Sequence, residues 1–206
     1  MLLSTSYHLF GCSSKSSRQK WLRCDIFGIT AGLIGMYTVG IYSAFYCFEQ
    51  LRTNYFTMLM GLFAISAYMP SCDNFMEPKI FGGRIGYLHL TYIAIVAFGV
   101  CPTAHWVTLH GGLQNEHVAA WLPKILLLYI LTGSGFFFYA SMVPERFKPG
   151  VFDIFGSSHQ WWHMLIFAAM FFWFRSGIDL LTFYRTLDTD CPVMTQQFNQ
   201  TYLQLW

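Results

Sequence analysis

His159 and His163 lie four residues apart in Ser157-Ser158-His159-Gln160-Trp161-Trp162-His163, at the head of a long apolar run. On a helix that spacing stacks both imidazoles on one face, where two ring nitrogens can approach a single ion. His8 precedes a short basic segment near the start of the chain, and Asp25 stands just after that segment, at the head of another apolar run. Three imidazoles with a carboxylate or a water are a familiar zinc set. If Asp25 reaches the metal through water, that water is a candidate nucleophile for hydrolysis. This chemistry requires elements that bring the four residues to one depth.

Composition sets the solvent of those elements. The 206 residues are 55% hydrophobic, 19% aromatic and 11% charged, against about 25% charged in a soluble chain. The apolar excess must face lipid. The net charge is +2, and Lys and Arg are scattered through short connections instead of forming a stripe, which sets nucleic acid aside as a partner.

Five apolar stretches, Asp25–Phe48, Tyr55–Met69, Ile85–His105, Ile125–Val143 and Ser157–Tyr184, approach or exceed the roughly 20 helical residues that cross a bilayer. Backbone groups in lipid must be satisfied internally, and none of these runs shows the alternation of a barrel strand, so each is read as a helix. Residues Met1–Gly11 are too short for a signal peptide and read as the last turns of a helix whose beginning is missing. The expected fold class is therefore all-α: a polytopic membrane bundle of five complete transmembrane helices plus a stub. Residues 1–11 form the stub, 12–184 the bundle and 185–206 a tail.

The connections orient the bundle. Cys12–Cys24 carries Lys15, Arg18, Lys20 and Arg23 without an acid, Ser71–Arg84 carries Lys79 and Arg84, and Pro144–Gly156 carries Arg146 and Lys148. The alternate connections have only Arg52 in Glu49–Asn54 and Lys124 at the far end of Trp106–Lys124. The basic set is expected in the cytosol. The tail beyond Tyr184 then lies in a lumen or outside the cell, where the sequon Asn199-Gln200-Thr201 can accept a glycan. This topology places His8, Asp25, His159 and His163 together at cytosolic depth. His105, His110 and His117 fall at the far end, too distant to join them. Cys47, Cys101 and Cys191 also lie toward the far side, where a disulfide can form, although free cysteine as a small apolar packing group is the simpler reading. Gly35 and Gly40, or Gly133 and Gly135, are expected to permit close helix approach. Trp161, Trp162 and Trp173 read as lipid-facing or packed aromatics.

The ordered motifs Ser4-x-x-x-His8, Asp25-Ile26-Phe27-Gly28-Ile29, Val143-Pro144-Glu145-Arg146-Phe147-x-Pro149-Gly150 and Ser158-His159-Gln160-x-x-His163 resemble the progestin and adipoQ receptor family, the relatives of the adiponectin receptors. The resemblance covers almost the whole chain. Within the family, Tyr7-His8-Leu9-Phe10, Pro102-Thr103-x-His105-Trp106-Val107 and Gly156-Ser157-Ser158-His159-Gln160-x-Trp162-His163 are most similar to a Golgi type described as a Raf kinase trap.

The resemblance implies a seven-helix protein with a cytosolic N-terminus and zinc (Zn2+) held by His8, His159 and His163, with Asp25 holding a water on the metal. The wider superfamily includes alkaline ceramidases, which implies hydrolysis of a lipid amide such as ceramide, with Ser4 beside the metal to stabilise the developing oxyanion. Two functions are open. One is a signalling receptor for a lipid or hormone with ceramidase-like hydrolase activity. The other is a non-enzymatic Golgi scaffold that tethers a cytosolic Raf kinase and damps MAP kinase signalling, its zinc structural. Both imply membrane lipids as partners and a Golgi or plasma-membrane location. Against the seven-helix pattern, the N-terminal segment, the first helix and most of the second are expected to be missing.

Overall fold

Ser14 and Asn115 set where two of the long helices start. The computed structural model of the chain describes residues 1–71 and 85–186. Within them the helices are α1 (Leu2–Phe10), α2 (Lys15–Ala44), α3 (Glu49–Tyr68), α4 (Tyr87–Phe98), α5 (Val100–Leu109), α6 (Glu116–Ser141) and α7 (Ser158–Thr186), with a 3-10 turn at Met69–Ser71.

Ser14 is extended, and its side chain accepts from the Ser17 N–H at 3.1 Å, which satisfies an otherwise orphan donor of the first turn. Lys15, Arg18, Lys20 and Arg23 therefore belong to α2, whereas the sequence places them in a connection. At 30 residues the helix is about 45 Å long. That exceeds the roughly 30 Å of hydrocarbon, so the basic turns can stand beyond the apolar layer.

Asn115 does the same for α6, accepting from the N–H groups of His117 at 2.8 Å and Val118 at 3.4 Å. With α5 running on to Leu109, the expected connection Trp106–Lys124 shrinks to residues 110–115. Gly111 and Gly112 make that short turn at φ 85° and 89°, a region that costs glycine little.

Four described helical segments are long and apolar enough to cross a membrane: Lys15–Ala44, Tyr87–Leu109, Glu116–Ser141 and Ser158–Thr186. The protein is thus an integral, multi-pass helical membrane protein, but with one such segment fewer than the five expected. The difference is α3. Its 20 residues suffice in length, yet Glu49, Arg52, Thr53 and Asn54 in its first turns dilute the apolar run.

The expected unbroken span Ile85–His105 is divided at Gly99, between α4 and α5. Pro102 has no N–H to give to the carbonyl of Phe98, and its ring clashes there, which breaks the regular ladder. The Gly99 N–H turns instead to the Val96 carbonyl at 3.1 Å. A side chain at Gly99 would also collide with the hydroxyls of Tyr129 and Tyr37, 2.5 and 3.0 Å from an added Cβ.

Helices α6 and α7 share the most extensive packing, and α2 lies against α1, α3 and α7. A Cβ on Gly177 would sit 2.1 Å from Val39 Cγ1, and Ser43 Oγ donates to the Gly177 carbonyl at 3.3 Å, so α2 and α7 meet almost backbone to backbone. Gly40 admits the Trp173 ring, whose Nε1 donates to the Met36 carbonyl at 2.8 Å. Gly135 packs against Trp162 and Leu165, whereas Gly35 and Gly133 have nothing within 4 Å. One glycine of each expected pair therefore serves close approach, and Gly177 is a third that the pair spacing did not reveal. The main core gathers Ile41, Phe45, Phe48, Leu59, Phe63, Ile95, Trp106 and Val118, toward the end of α2 far from Asp25.

Cys47 is disulfide-bonded, so at that position the apolar-filler reading fails. Cys12, Cys24 and Cys101 are free. The readings on Cys72, Lys79, Arg84, Cys191 and the Asn199 sequon, and on most of the tail, lie outside the described residues.

Candidate metal centre

The N-terminus of α7 is fastened before it presents any chemistry. The Glu145 carboxylate accepts from the Ser158 backbone N–H at 2.7 Å and, through its other oxygen, from the Ser158 hydroxyl. Ser158 is fully buried. A carboxylate at this place also meets the positive end of the helix dipole. Two residues on, Gln160 staples the incoming loop: its Oε1 accepts from the Gly156 N–H at 2.6 Å and its Nε2 donates to the Ile154 carbonyl at 2.9 Å. Ser158 and Gln160 thus hold the turn from which His159 and His163 project.

The two imidazoles meet as their spacing requires, Nε2 to Nε2 at 3.1 Å. His8, from α1, brings its Nε2 to 3.2 Å from that of His159. All three nitrogens lie within 4.8 Å of one another. Ser4, one turn before His8 and buried, places its Oγ 3.3 Å from His163 Nε2.

The three Nε2 atoms cannot all pair with one another by hydrogen bonding. Each imidazole nitrogen has one in-plane site, filled by either a proton or a lone pair. His159 Nε2 faces two other nitrogens and can serve one of them. A cation at the common point would use all three lone pairs, and a tetrahedral ion with Zn–N distances of about 2.0–2.1 Å holds its nitrogens about 3.3 Å apart. The two short spacings, 3.1 and 3.2 Å, match that separation and the third pair lies within 4.8 Å, so His8, His159 and His163 could hold a metal.

Asp25 does not join that group. It is half-buried on α2, three residues before Gly28, which packs against Leu3 of α1. It therefore sits at the same end of the bundle as the imidazoles, on the side of α2 toward α1. A direct ligand would stand about 2 Å from the ion, and a carboxylate acting through water stands one molecule farther out.

The remaining histidines have other partners. His89 Nδ1 accepts from the Gly86 N–H at 3.1 Å and its Nε2 meets the Tyr139 hydroxyl at 2.9 Å, while Tyr139 also packs its ring near that of His159, with centroids 6.1 Å apart. His105 Nδ1 meets the Tyr55 hydroxyl at 2.9 Å. His110 and His117 converge on Tyr184. Glu145 and Gln160 are the residues that sequence reasoning left without a role. Their signal was their place inside the two motifs flanking the α7 start, but no spacing rule says which group a loop carboxylate caps.

The profile of the haemolysin-III-related family matches residues 1–174. The chain belongs to that family. Among relatives of this haemolysin-III-related chain, the human "Progestin and adipoQ receptor family member 3" is 32% identical over 184 residues, covering 89% of this chain and 58% of that protein. The "Adiponectin receptor protein" of Drosophila melanogaster is 32% identical over 192 residues, 92% of this chain and 41% of its own length. The "Heptahelical transmembrane protein 1" of Arabidopsis thaliana is 33% identical over 169 residues, 81% and 48% respectively. The progestin and adipoQ receptor resemblance is thereby upheld. The chain spans somewhat over half the length of the human protein and of its mouse counterpart.

Proposed function

We propose that this haemolysin-III-related protein is a zinc-dependent membrane protein of the progestin and adipoQ receptor type, and that it hydrolyses a lipid amide of the ceramide class. The observation that carries the reading is the convergence of three Nε2 atoms, from His8, His159 and His163, on one point with spacings of 3.1 and 3.2 Å. Zinc held there would supply Lewis acidity and lower the pKa of water.

The chain's own residues supply the rest. Asp25, beyond direct-ligand range, orients and deprotonates the attacking water. Ser4 Oγ lies beside His163 Nε2, and once that nitrogen's lone pair is engaged, the hydroxyl is released to donate to the oxygen on which charge develops. The leaving amine takes its proton from Asp25. Glu145 and Gln160 position His159 and His163 by fixing the first turn of α7.

The deciding experiment uses purified protein with measured zinc content and a panel of ceramides, with released fatty acid as readout. Release by the wild type but not by Asp25→Asn supports the hydrolase. Stoichiometric zinc with no release from any ceramide would remove it. That result would favour the second reading, a Golgi scaffold tethering a cytosolic kinase around a structural zinc. The observation favouring the second reading is the match to family member 3 in both human and mouse. The cytosolic side for the metal group rests on the basic bias of Lys15, Arg18, Lys20 and Arg23.

A further inference from the structure

Along α7, from residue 163 to residue 184, the helix rises by about 32 Å and reaches a second histidine group at the other end of the bundle. His110 follows α5, with its Nδ1 2.8 Å from the Trp106 carbonyl. A carbonyl only accepts, so Nδ1 carries the proton and Nε2 of the neutral ring presents a lone pair. The Tyr184 hydroxyl lies 3.2 Å from that Nε2 and donates to it. The same oxygen lies 2.9 Å from His117 Nε2. Its one proton is already engaged, so His117 donates. Trp106 is 1% exposed, and its buried indole N–H faces the Tyr184 oxygen yet makes no hydrogen bond of good geometry.

A single arrangement of protons satisfies this chain from His117 through Tyr184 and His110 to the Trp106 carbonyl. A first added proton can be absorbed, because with Nε2 of His110 protonated His117 can turn to its other tautomer and accept from Tyr184. A second proton breaks it: with both rings charged, the N–H groups of His110, His117 and Trp106 crowd one oxygen that offers two lone pairs. A proton on the other nitrogen of His117 would put a charge on a ring 5.1 Å from that of His110 and stacked at 5.0 Å on Phe183. Among the described residues, no hydrogen bond joins an anionic group to either ring. Tyr46 of α2 stacks on Tyr184, Phe48 meets His110 edge-on, and Trp106 and Trp121 flank His117. Glu49, Glu116, Asp179 and Arg185 are exposed. Arg52 donates to the Tyr46 carbonyl, and Lys124 lies over Trp121, adding positive potential.

Trp106 has a second role. It lines a half-open cavity of about 100 Å³ that is also lined by Tyr37, Phe45, Gly99, Pro102 and Tyr129. We propose that His110, His117 and Tyr184 form an acid-released clasp that holds the Trp106 wall of this cavity, at the membrane face opposite the His8–His159–His163 group. At neutral pH the clasp holds the ends of α5, α6 and α7 together with Trp106 in place. In acid it opens, and the cavity wall loosens toward that face. Burial holds His110 below the ordinary imidazole range, against the opposing effect of its bond to Trp106. Because the closed-state pKa is depressed, clasp stability is present above the ordinary imidazole pKa and is lost as pH falls below it.

Hydrogen exchange of the full chain in lipid nanodiscs, at about pH 7.5 and about pH 5.5 and corrected for intrinsic rates, tests this. Segments 99–106 and 108–118 should be protected at neutral pH and open together, by roughly tenfold per pH unit for each proton taken up. His110→Gln with His117→Gln should abolish the pH dependence, and His159→Ala with His163→Ala should leave it intact, which separates the clasp from the metal group. Tyr184→Phe, which keeps the ring and removes the shared oxygen, should exchange at neutral pH as the wild type does in acid. Equal wild-type protection at both pH values overturns the clasp, as does an unchanged pH response in the double His110, His117 variant. Opening of 108–118 while 99–106 stays protected overturns its hold on the cavity wall.

Discussion

Glu145 grips Ser158 twice, through the backbone N–H at 2.7 Å and through the side-chain hydroxyl. The next residue is His159, so a carboxylate thirteen positions upstream fixes the start of the helix that carries two of the three imidazoles. Glu145→Ala should cost about 1–2 kcal/mol of stability through the lost cap. It should also weaken zinc binding by roughly 10–100-fold, the usual scale for groups that orient ligands. Glu145→Gln, which retains one acceptor, should recover part of both. Thermal unfolding and zinc titration of the two variants measure this, and unchanged zinc affinity in Glu145→Ala would show that the cap does not orient the imidazoles.

Removing ligands should be graded. His159→Ala or His163→Ala should abolish stoichiometric zinc, because these two share one helix face and one fastened turn. His8→Ala should weaken binding less, since the pair on α7 remains. Zinc analysis of each purified variant decides the order. Undiminished zinc in the double His159, His163 variant would sink the site.

Asp25→Asn keeps size and hydrogen bonding while removing the charge. If Asp25 deprotonates water, turnover should fall by about 10²–10⁴-fold with folding and zinc content retained. Lipid-amide hydrolysis assayed beside zinc content reads both, and equal turnover in wild type and variant removes the assigned role.

The contact of α2 with α7 admits no side chain at 177. Gly177→Ala should destabilise by about 1–3 kcal/mol through overpacking against Val39, and Val39→Ala should recover part of the loss in the double variant. Thermal unfolding of the cycle in detergent checks it. Additive losses would mean that the two positions do not compete for space.

Cys12 and Cys24 are free and exposed, at the same end as the basic turns of α2. In sealed right-side-out vesicles of a Cys101→Ser variant, an impermeant maleimide should leave both unlabelled until the membrane is opened. Labelling before permeabilisation would place that end outside and invert the orientation expected from the basic bias.

Apolar run length and charge depletion determined the helical membrane character, because lipid leaves the backbone few alternatives. The i, i+4 spacing of His159 and His163 likewise determined their meeting, since helical period is a local property. His8 joined them in the sequence only through depth and family resemblance. Whether it reached the pair depended on how α1 lies in the bundle, and the 3.2 Å contact with His159 is a product of that packing. Helix ends were poorly legible. The Ser14 and Asn115 caps moved two starts outward by about nine or ten residues from the apolar runs, because capping depends on a side chain reaching a backbone donor and not on hydropathy. Pro102 was visible, but the division it causes at Gly99 also needed Tyr37 and Tyr129 to approach from other helices. Glu145 on Ser158, Val39 against Gly177, and His110 with His117 on Tyr184 belong wholly to the tertiary structure. Each joins residues distant in sequence or on different elements, and no periodicity encodes a distance between helices.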